Sequence, residues 1–277
     1  MNGLENIASA FASARAAGRA ALMPYFTLGF PTPAESLAVI EALACSGADL
    51  IELGIPFSDP LADGPTIQRS TQVALEQGMN VSGCLELVRQ IRARGVNQPL
   101  LLMGYINPVL AYGVARYAAD ARAAGADGLI IPDLPVEEAA QVEAACRAEK
   151  LALVYLAAPT STPERLEALA THTTGFLYLV SLTGVTGARA ALAKGLEEFT
   201  NRARVALAGQ NGEPTPLAVG FGIATPEQAA AVGALADGVI IGSALINAVA
   251  QSNDPARAAS SYLAPVRAAL EKSTVHG

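Results

Sequence analysis

Eight short aliphatic runs, separated by stretches of helical periodicity, limit the possible folds of this chain more than any other feature. Most of the runs are apolar at consecutive positions, which is typical of parallel strands covered on both faces. Alternating strands and helices of this kind indicate an α/β fold. The runs cover residues 21–28, 49–53, 100–105, 128–131, 152–156, 176–180, 217–220 and 238–241.

None of these runs reads as an exposed edge strand, which favours a closed sheet over an open one. We therefore predict an α/β fold of the (β/α)8 TIM-barrel type, with residues 1–277 forming a single domain. An open doubly wound sheet is the alternative, but no dinucleotide-binding glycine fingerprint follows the first run. The predicted helices include 33–45, opened by a capping box of Thr32 and Glu35, 136–150, and extra helices at 4–17 (the N-terminal helix), 81–94 and 255–272.

Composition limits the environment and the partners. With 52% apolar residues the chain can bury a large core, and its net charge of −7, without a basic run, argues against nucleic-acid and anionic-membrane partners. The longest uncharged stretch, 95–115, contains two prolines, so it does not form one membrane-spanning helix. The widely spaced Cys45, Cys84 and Cys146 are an odd number and indicate core thiols. We expect a cytoplasmic protein with no membrane partner.

Two carboxylates near the end of the second run are candidates for chemistry. Glu52 interrupts an aliphatic run, where strand alternation can point it into the barrel, and Asp63 lies in the following loop. Burial would raise the pKa of Glu52 enough for general acid catalysis, whereas a carboxylate in the wet loop would stay ionised. Structural alternatives remain open. Glu52 could pair with an arginine, although none lies in the eight runs, and Asp63 could cap a helix that begins near Pro65.

Three glycine-rich turns follow the sixth, seventh and eighth runs, at residues 183–187, 220–223 and 242–244. Glycine lets the backbone approach a ligand, and the N–H groups at the start of a helix attract anions. Barrels of this type usually bind phosphate after strands seven and eight. The turns therefore predict a phosphate site that includes Gly222, Gly242 and Ser243.

Further polar and aromatic side chains follow other runs. Tyr105 ends the third run, Asp133 follows the fourth and Tyr178 lies in the sixth. They would add aromatic surface and one more carboxylate around the mouth of the barrel. Each alone could equally belong to the core, and Asp133 could instead start the helix at 136–150.

Lysine and histidine are scarce, and this narrows the reaction. Lys150, Lys194 and Lys272 are all predicted away from the mouth, which argues against a Schiff base. His172 and His276 do not form the cluster that metal catalysis usually needs. The sequence therefore favours acid–base chemistry by carboxylates, with no metal and no cofactor, on a phosphorylated substrate that has an apolar portion.

Several blocks, in order along nearly the whole chain, resemble the tryptophan synthase α-subunit family. The segment from Ile51 to Pro65 is similar to that family's signature, as are 24–29, 103–108, 132–138, 181–187, 219–223 and 242–243. The resemblance implies a lyase of tryptophan biosynthesis that cleaves indole-3-glycerol phosphate to indole and glyceraldehyde 3-phosphate by a retro-aldol step. It also implies a partner β subunit that carries pyridoxal phosphate, in an αββα complex that channels indole.

The resemblance also implies roles for individual residues. Glu52 matches the glutamate that moves protons between indole C3 and the glycerol hydroxyl, and Asp63 matches the aspartate that accepts the indole N–H. The remaining matches are phosphate contacts at Gly187, Gly222, Gly242 and Ser243, indole-pocket walls at Tyr25, Tyr105, Tyr178 and Phe221, and closing loops at 56–63 with Asp59 and at 183–189 with Thr186. Phe30 and the segment 208–216 depart from the family pattern, and Phe30 bears on the contacts expected with the β subunit.

Two alternatives belong to other classes. Another phosphate-binding barrel, such as an isomerase or an indole-glycerol-phosphate synthase, is one; the latter would use a lysine at the mouth, and the sequence predicts none there. The other is a non-catalytic barrel that regulates a β-type subunit. Intact Glu52 and Asp63 argue against it.

Overall fold

The structure is a computed structural model that describes residues 2–181, 189–208, 215–220 and 222–272, with the side chains of 189–194 and 272 left out. Within these ranges nine strands, β1 to β9, cover Ala21–Thr27, Ile51–Gly54, Leu100–Met103, Gly128–Ile130, Ala152–Val154, Leu156–Ala157, Leu177–Val180, Leu217–Gly220 and Gly238–Ile241. The helices α1 to α12 cover Gly3–Ala16, Pro33–Cys45, Pro65–Glu76, Val81–Ala93, Ile106–Tyr112, Val114–Ala124, Ala140–Glu149, Pro163–His172, Arg189–Ala208, Pro226–Gly233, Ser243–Ala250 and Pro255–Lys272.

The strands form one parallel sheet that curls into a barrel, in the order β5-β4-β3-β2-β1-β9-β8-β7-β6. The first and last strands of this order are consecutive in the chain and are separated by Tyr155 alone. The carbonyl of Tyr155 accepts the amide of Tyr178 at 3.0 Å, which continues the ladder across the gap. The predicted (β/α)8 TIM barrel is therefore confirmed, and the open doubly wound alternative is wrong.

The fifth predicted strand, 152–156, differs in detail because it is divided into β5 and β6. The amide of Tyr155 donates to the Thr173 hydroxyl at 3.2 Å instead of to a neighbouring strand. This local bond interrupts the regular ladder for one residue. The eight predicted runs thus correspond to eight positions in the barrel wall, one of which is made of two short strands.

Helix starts follow the predicted signals with two differences. Thr32 accepts the amide of Glu35, but the Glu35 carboxylate accepts the Thr32 hydroxyl at 2.8 Å, so the predicted capping box is only half formed. The predicted helix at 136–150 begins instead as a 3₁₀ turn, Val136–Glu138, before α7. Asn2 and Glu5 form a complete capping box on α1, which covers the N-terminal helix predicted at 4–17.

Four reciprocal hydrogen-bond pairs, which we call the base brackets, join neighbouring strands at the amino-terminal end of the barrel, its base. In each bracket a side chain shortly before a strand accepts the amide of a leucine near the start of the preceding position in the barrel wall, at 2.7–2.9 Å. The backbone amide of the same residue donates to that leucine's carbonyl at 2.8–2.9 Å. The four pairs are Leu22 with Asp49, Leu100 with Asp127, Leu153 with Thr174, and Leu217 with Asp237.

Arginines complete the charged brackets. Arg19 holds Asp49 with two bonds of 2.7 and 2.8 Å, and Arg92 holds Asp127 at 2.6 Å. These ion pairs lie at the base, whereas the carboxyl groups described below lie toward the opposite end of the barrel, its mouth.

The remaining observations concern the cysteines, Phe30 and membrane-spanning helices, and one prediction about the cysteines needs correction. Cys84 and Cys146 are buried thiols, but Cys45 is exposed near the end of α2, so it is not the core thiol that was predicted. Phe30 is buried and packs against Phe26, with ring centroids 6.1 Å apart. No helix in the described part of the chain is long and apolar enough to cross a bilayer.

Candidate active site

Glu52 lies in β2, where it pairs in register with Tyr25 of β1 and Leu101 of β3. It is 0% exposed, and neither carboxylate oxygen has a hydrogen-bond partner among the described residues. Its charge acts on Tyr25 and also on Tyr178, which lies on β7, and this places the carboxylate inside the barrel. Burial raises the pKa of Glu52 to about 8. The arginine pairing left open by the sequence is therefore absent from the described structure.

Asp63 lies in the loop between β2 and α3 and is hydrogen-bonded to Tyr105, which follows β3. Its Oδ2 accepts the Tyr105 hydroxyl at 3.0 Å, and the phenol oxygen of Tyr105 accepts the amide of Ala62 at 3.0 Å. The capping alternative for Asp63 is wrong, since Gly64 is the N-cap of α3 and no side chain caps it. Burial raises the pKa of Asp63 to about 6, against the lowering effect of the Tyr105 hydrogen bond.

The loop around Asp63 is thus less wet than predicted, but the pKa of its carboxyl still lies below neutrality. The two carboxyl groups have different environments, both act electrostatically on Tyr25 and Tyr178, and the pKa of Glu52 is the higher. At neutral pH Glu52 is therefore largely protonated and Asp63 largely ionised. Such a pair can act as an acid and as a fixed negative charge at the same time.

Tyr25 and Tyr178 supply buried walls, and burial raises the pKa of both phenols well above their usual value. Each ring is accommodated by a glycine for which the sequence predicts no such role. A Cβ on Gly54 would lie 2.1 Å from the Tyr25 phenol oxygen, and a Cβ on Gly220 would lie 2.2 Å from that of Tyr178. The strand register that creates these contacts cannot be read from the residues alone.

Tyr105 does more than the wall role predicted for it, because its hydroxyl binds Asp63. Phe57, which the sequence reasoning missed, packs against Tyr105 with ring centroids 5.4 Å apart. The sequence feature that could have identified Phe57 is its position as an aromatic residue in the loop directly after β2. Asp133 accepts the amide of Ile106 at 2.9 Å and so holds the first turn of α5. The alternative that Asp133 starts the helix at 136–150 is therefore wrong.

The predicted phosphate residues that the structure describes lie at two turns of the mouth. Gly222 has a φ of +73°, a conformation that favours glycine. Gly242 is the N-cap of α11 and Ser243 its first residue, so the first amides of this helix have no intrahelical acceptor. A Cβ on Gly242 would lie 3.3 Å from the Tyr25 ring, which makes the predicted phosphate and indole regions contiguous.

The remaining predicted site residues stay predictions. Gly187, Thr186 and Phe221, together with the loop at 183–188, lie outside the described residues. Asp59 is exposed in the loop after β2 and accepts the Ser58 hydroxyl. Across the residues that the structure does describe, no group of three metal-ligating side chains comes together.

Sequence and backbone comparisons both lead to one family. The family model for the tryptophan synthase alpha chain matches residues 11–274. The tryptophan synthase alpha chain of Chloroflexus aggregans is 52% identical over 244 residues, which are 88% of this chain and 89% of that protein. The solved tryptophan synthase subunit alpha of Legionella pneumophila has a TM-score of 0.88 at 38% identity, covering 98% of this chain and 99% of that one. A tryptophan synthase structure from M. tuberculosis, in an aminoacrylate- and BRD0059-bound form, has a TM-score of 0.85 at 38% identity, covering 95% and 97%. This chain belongs to the tryptophan synthase alpha chain family.

Proposed function

We propose that this chain cleaves indole-3-glycerol phosphate into indole and glyceraldehyde 3-phosphate in tryptophan biosynthesis, with Glu52 and Asp63 as its catalytic residues. Membership of the tryptophan synthase alpha chain family supports the reaction. The observation that carries the assignment of residues is the unpaired, fully buried carboxyl of Glu52 beside an Asp63 held by Tyr105. The reaction is a retro-aldol cleavage, which needs a proton donor, a proton acceptor and a place for transient positive charge.

Protonated Glu52 can supply the first step by giving its proton to indole C3. The positive charge that then spreads to the indole nitrogen is stabilised by ionised Asp63, which accepts the ring N–H. Glu52, now a carboxylate, takes the proton of the glycerol hydroxyl next to C3. The O–H electrons form the aldehyde, the C3–carbon bond breaks, and its electron pair restores the aromatic ring. Glu52 ends the cycle protonated, so protons and electrons balance without an added reactant.

The surroundings of the two carboxyl groups suit such a substrate. Tyr25 and Tyr178 give an apolar slot for the indole ring, in which the low dielectric strengthens the interaction with Asp63. We assign the phosphate to the amides at Gly222, Gly242 and Ser243 together with Gly187, and indole-pocket walls also to Tyr105 and Phe221. The contact between Gly242 and Tyr25 supports one continuous site.

The proposal includes no cofactor in this chain and a β subunit that carries pyridoxal phosphate, in an αββα complex. Two exposed apolar side chains at the mouth support a docking surface there: Leu61 in the loop after β2 is 93% exposed, and Leu110 on α5 is 53% exposed. Phe30 is buried and is not included in it. The three free thiols support a reducing, cytoplasmic location.

The test is cleavage of indole-3-glycerol phosphate by the purified chain, with and without a β subunit. Glu52→Gln keeps the shape of the side chain but cannot give or take a proton, so turnover should fall by about 10²–10⁴. Asp63→Asn should lower kcat more than it raises KM. Glu76→Gln, on the exposed face of α3, is the matched control and should behave as wild type.

Wild-type protein that binds the substrate without cleaving it, even with the β subunit, would instead support a regulatory barrel. Near-normal turnover of Glu52→Gln would remove the assigned mechanism but not the family's reaction.

A further inference from the structure

The turn after β8 is held from outside the barrel by a residue on the last helix. The Tyr262 hydroxyl, on α12, donates to the carbonyl of Ala224 at 3.0 Å. The ring of Tyr262 packs against the hydrophobic core, and burial raises the pKa of its phenol to about 12, so it remains a donor at neutral pH. Ala224 is two residues after Gly222, whose φ of +73° shapes the same turn.

The other side of this turn is held by Gln228 of α10. Its Oε1 accepts the amides of Ala224 and Thr225 at 2.8 and 3.2 Å, and Thr225 caps the amide of Gln228 at 3.3 Å. The amides of Gly222 and Ile223 have no hydrogen-bond partner in the described structure. These two are therefore the donors of the turn that remain for an anion.

The position of Tyr262 is fixed by the frame of the barrel. Farther along α12, Arg267 donates to the carbonyl of Gly47 at 3.0 Å and to Asp49 at 3.1 Å, at the base. The helix thus contacts both the base of the barrel and the turn at its mouth, with Pro265 between the two contacts.

We propose that Tyr262 is a positioning residue, which holds the turn 222–225 so that the amides of Gly222 and Ile223 face the substrate phosphate. The inference rests on the proposed function, because it needs a phosphate at this turn. It assigns Tyr262 no contact with the substrate. Loss of this hydrogen bond should lower the affinity for the phosphate end of the substrate alone.

Tyr262→Phe tests this, because it keeps the ring and removes the one hydrogen bond. We expect KM for indole-3-glycerol phosphate and Kd for glycerol phosphate to rise about 3- to 10-fold, the effect of losing one neutral hydrogen bond, with kcat unchanged. The affinity for indole, which lacks the phosphate, should stay the same. Tyr112→Phe is the matched control: it removes a phenol bond to Asp120 of 2.7 Å, away from the turn, and should change none of these values.

Wild-type affinity of Tyr262→Phe for glycerol phosphate, in a protein that cleaves the substrate, would overturn this inference alone. Parallel losses of indole and glycerol phosphate affinity would also overturn it, since they would show a general structural role. Wild-type protein that neither cleaves indole-3-glycerol phosphate nor binds glycerol phosphate would contradict the proposed function itself.

Discussion

Glu52 and Asp63 show how one barrel can hold two carboxyl groups in opposite states. Desolvation raises the pKa of Glu52 to about 8, and that of Asp63 to about 6 where Tyr105 limits the shift. An acid stays protonated below its pKa, so between these values Glu52 carries its proton and Asp63 does not. That is the combination that the proposed cleavage requires.

A bell-shaped pH profile follows for the wild-type chain. We expect kcat/KM to rise through about pH 6, as Asp63 ionises, and to fall through about pH 8, as Glu52 loses its proton. Tyr105→Phe removes the hydrogen bond that lowers the pKa of Asp63, so its rising limb should move to higher pH while the falling limb stays. Steady-state rates from pH 5 to pH 9 measure both limbs.

The phosphate of the substrate ionises near pH 6 as well, so glycerol phosphate binding over the same pH range is the control. It reports the phosphate but neither carboxyl group. A rising limb that is identical in wild type and Tyr105→Phe would contradict the assignment to Asp63.

Glu52 could be predicted from the sequence because one acid in an aliphatic strand is conspicuous. Its lack of a partner could be argued from the scarcity of arginine in the strands. The bond between Tyr105 and Asp63 could not, since it joins residues 42 positions apart across a loop whose path no local pattern defines.

Among the helices, α5 is placed directly after β3 and carries Leu110 to the mouth. An exposed leucine contributes to association mainly when a partner covers it. Leu110→Asp should therefore weaken binding of a β subunit by at least about tenfold, because it would bury a charge, and should leave cleavage by the isolated chain unchanged. Titration calorimetry or gel filtration with the β subunit measures the loss of binding, and an assay of the isolated chain measures cleavage.

Val205→Asp is the control for this prediction. Val205 is 76% exposed on α9, next to Arg204, which binds Asp237 at the base. Equal loss of β-subunit binding in both variants would contradict docking at the mouth.

Elements with consecutive aliphatic residues were predicted nearly to their ends, because burial on both faces leaves a pattern in the sequence itself. The break at Tyr155 left no such pattern. It depends on the hydroxyl of Thr173, which reaches the backbone only after α8 has brought the chain back. The turn at 136–138 likewise reads as helix in periodicity but begins with 3₁₀ geometry.

On the scale of the whole molecule, stability and chemistry are placed at opposite ends. The base brackets fix the strand starts, and the carboxylates lie at the mouth. Three of the brackets share a sequence feature: the dipeptide Ala-Asp precedes β2, β4 and β9, at 48–49, 126–127 and 236–237. The fourth bracket uses threonine and could be found only in the structure.

Loss of a charged bracket should destabilise the fold without changing catalysis. Asp127 is 1% exposed and binds Arg92, Asn6 and the amide of Leu100. Asp127→Ala should lower the free energy of unfolding by about 3 kcal/mol, because it leaves the buried amide of Leu100 without its acceptor and the partly buried Arg92 without its counter-charge. Thr174→Ala removes a neutral bond and should cost about 1 kcal/mol.

Urea unfolding measures both changes, and kcat/KM of the folded fraction should match wild type in each variant. Equal destabilisation by the two substitutions would show that the charge of the bracket is unimportant.

The divided wall position at Tyr155 has a consequence for the reaction. The break lies opposite the β1–β9 ladder, so the wall consists of a first half, β1 to β5, and a second half, β6 to β9, which that ladder joins. The proposed catalytic residues Glu52 and Asp63 belong to the first half, and the turns at Gly222 and Gly242, proposed to bind the phosphate, belong to the second. A substrate that fills the site therefore spans the join between the halves. The free energy of substrate binding opposes separation of the two halves, so the free energy of unfolding should be highest while substrate is bound.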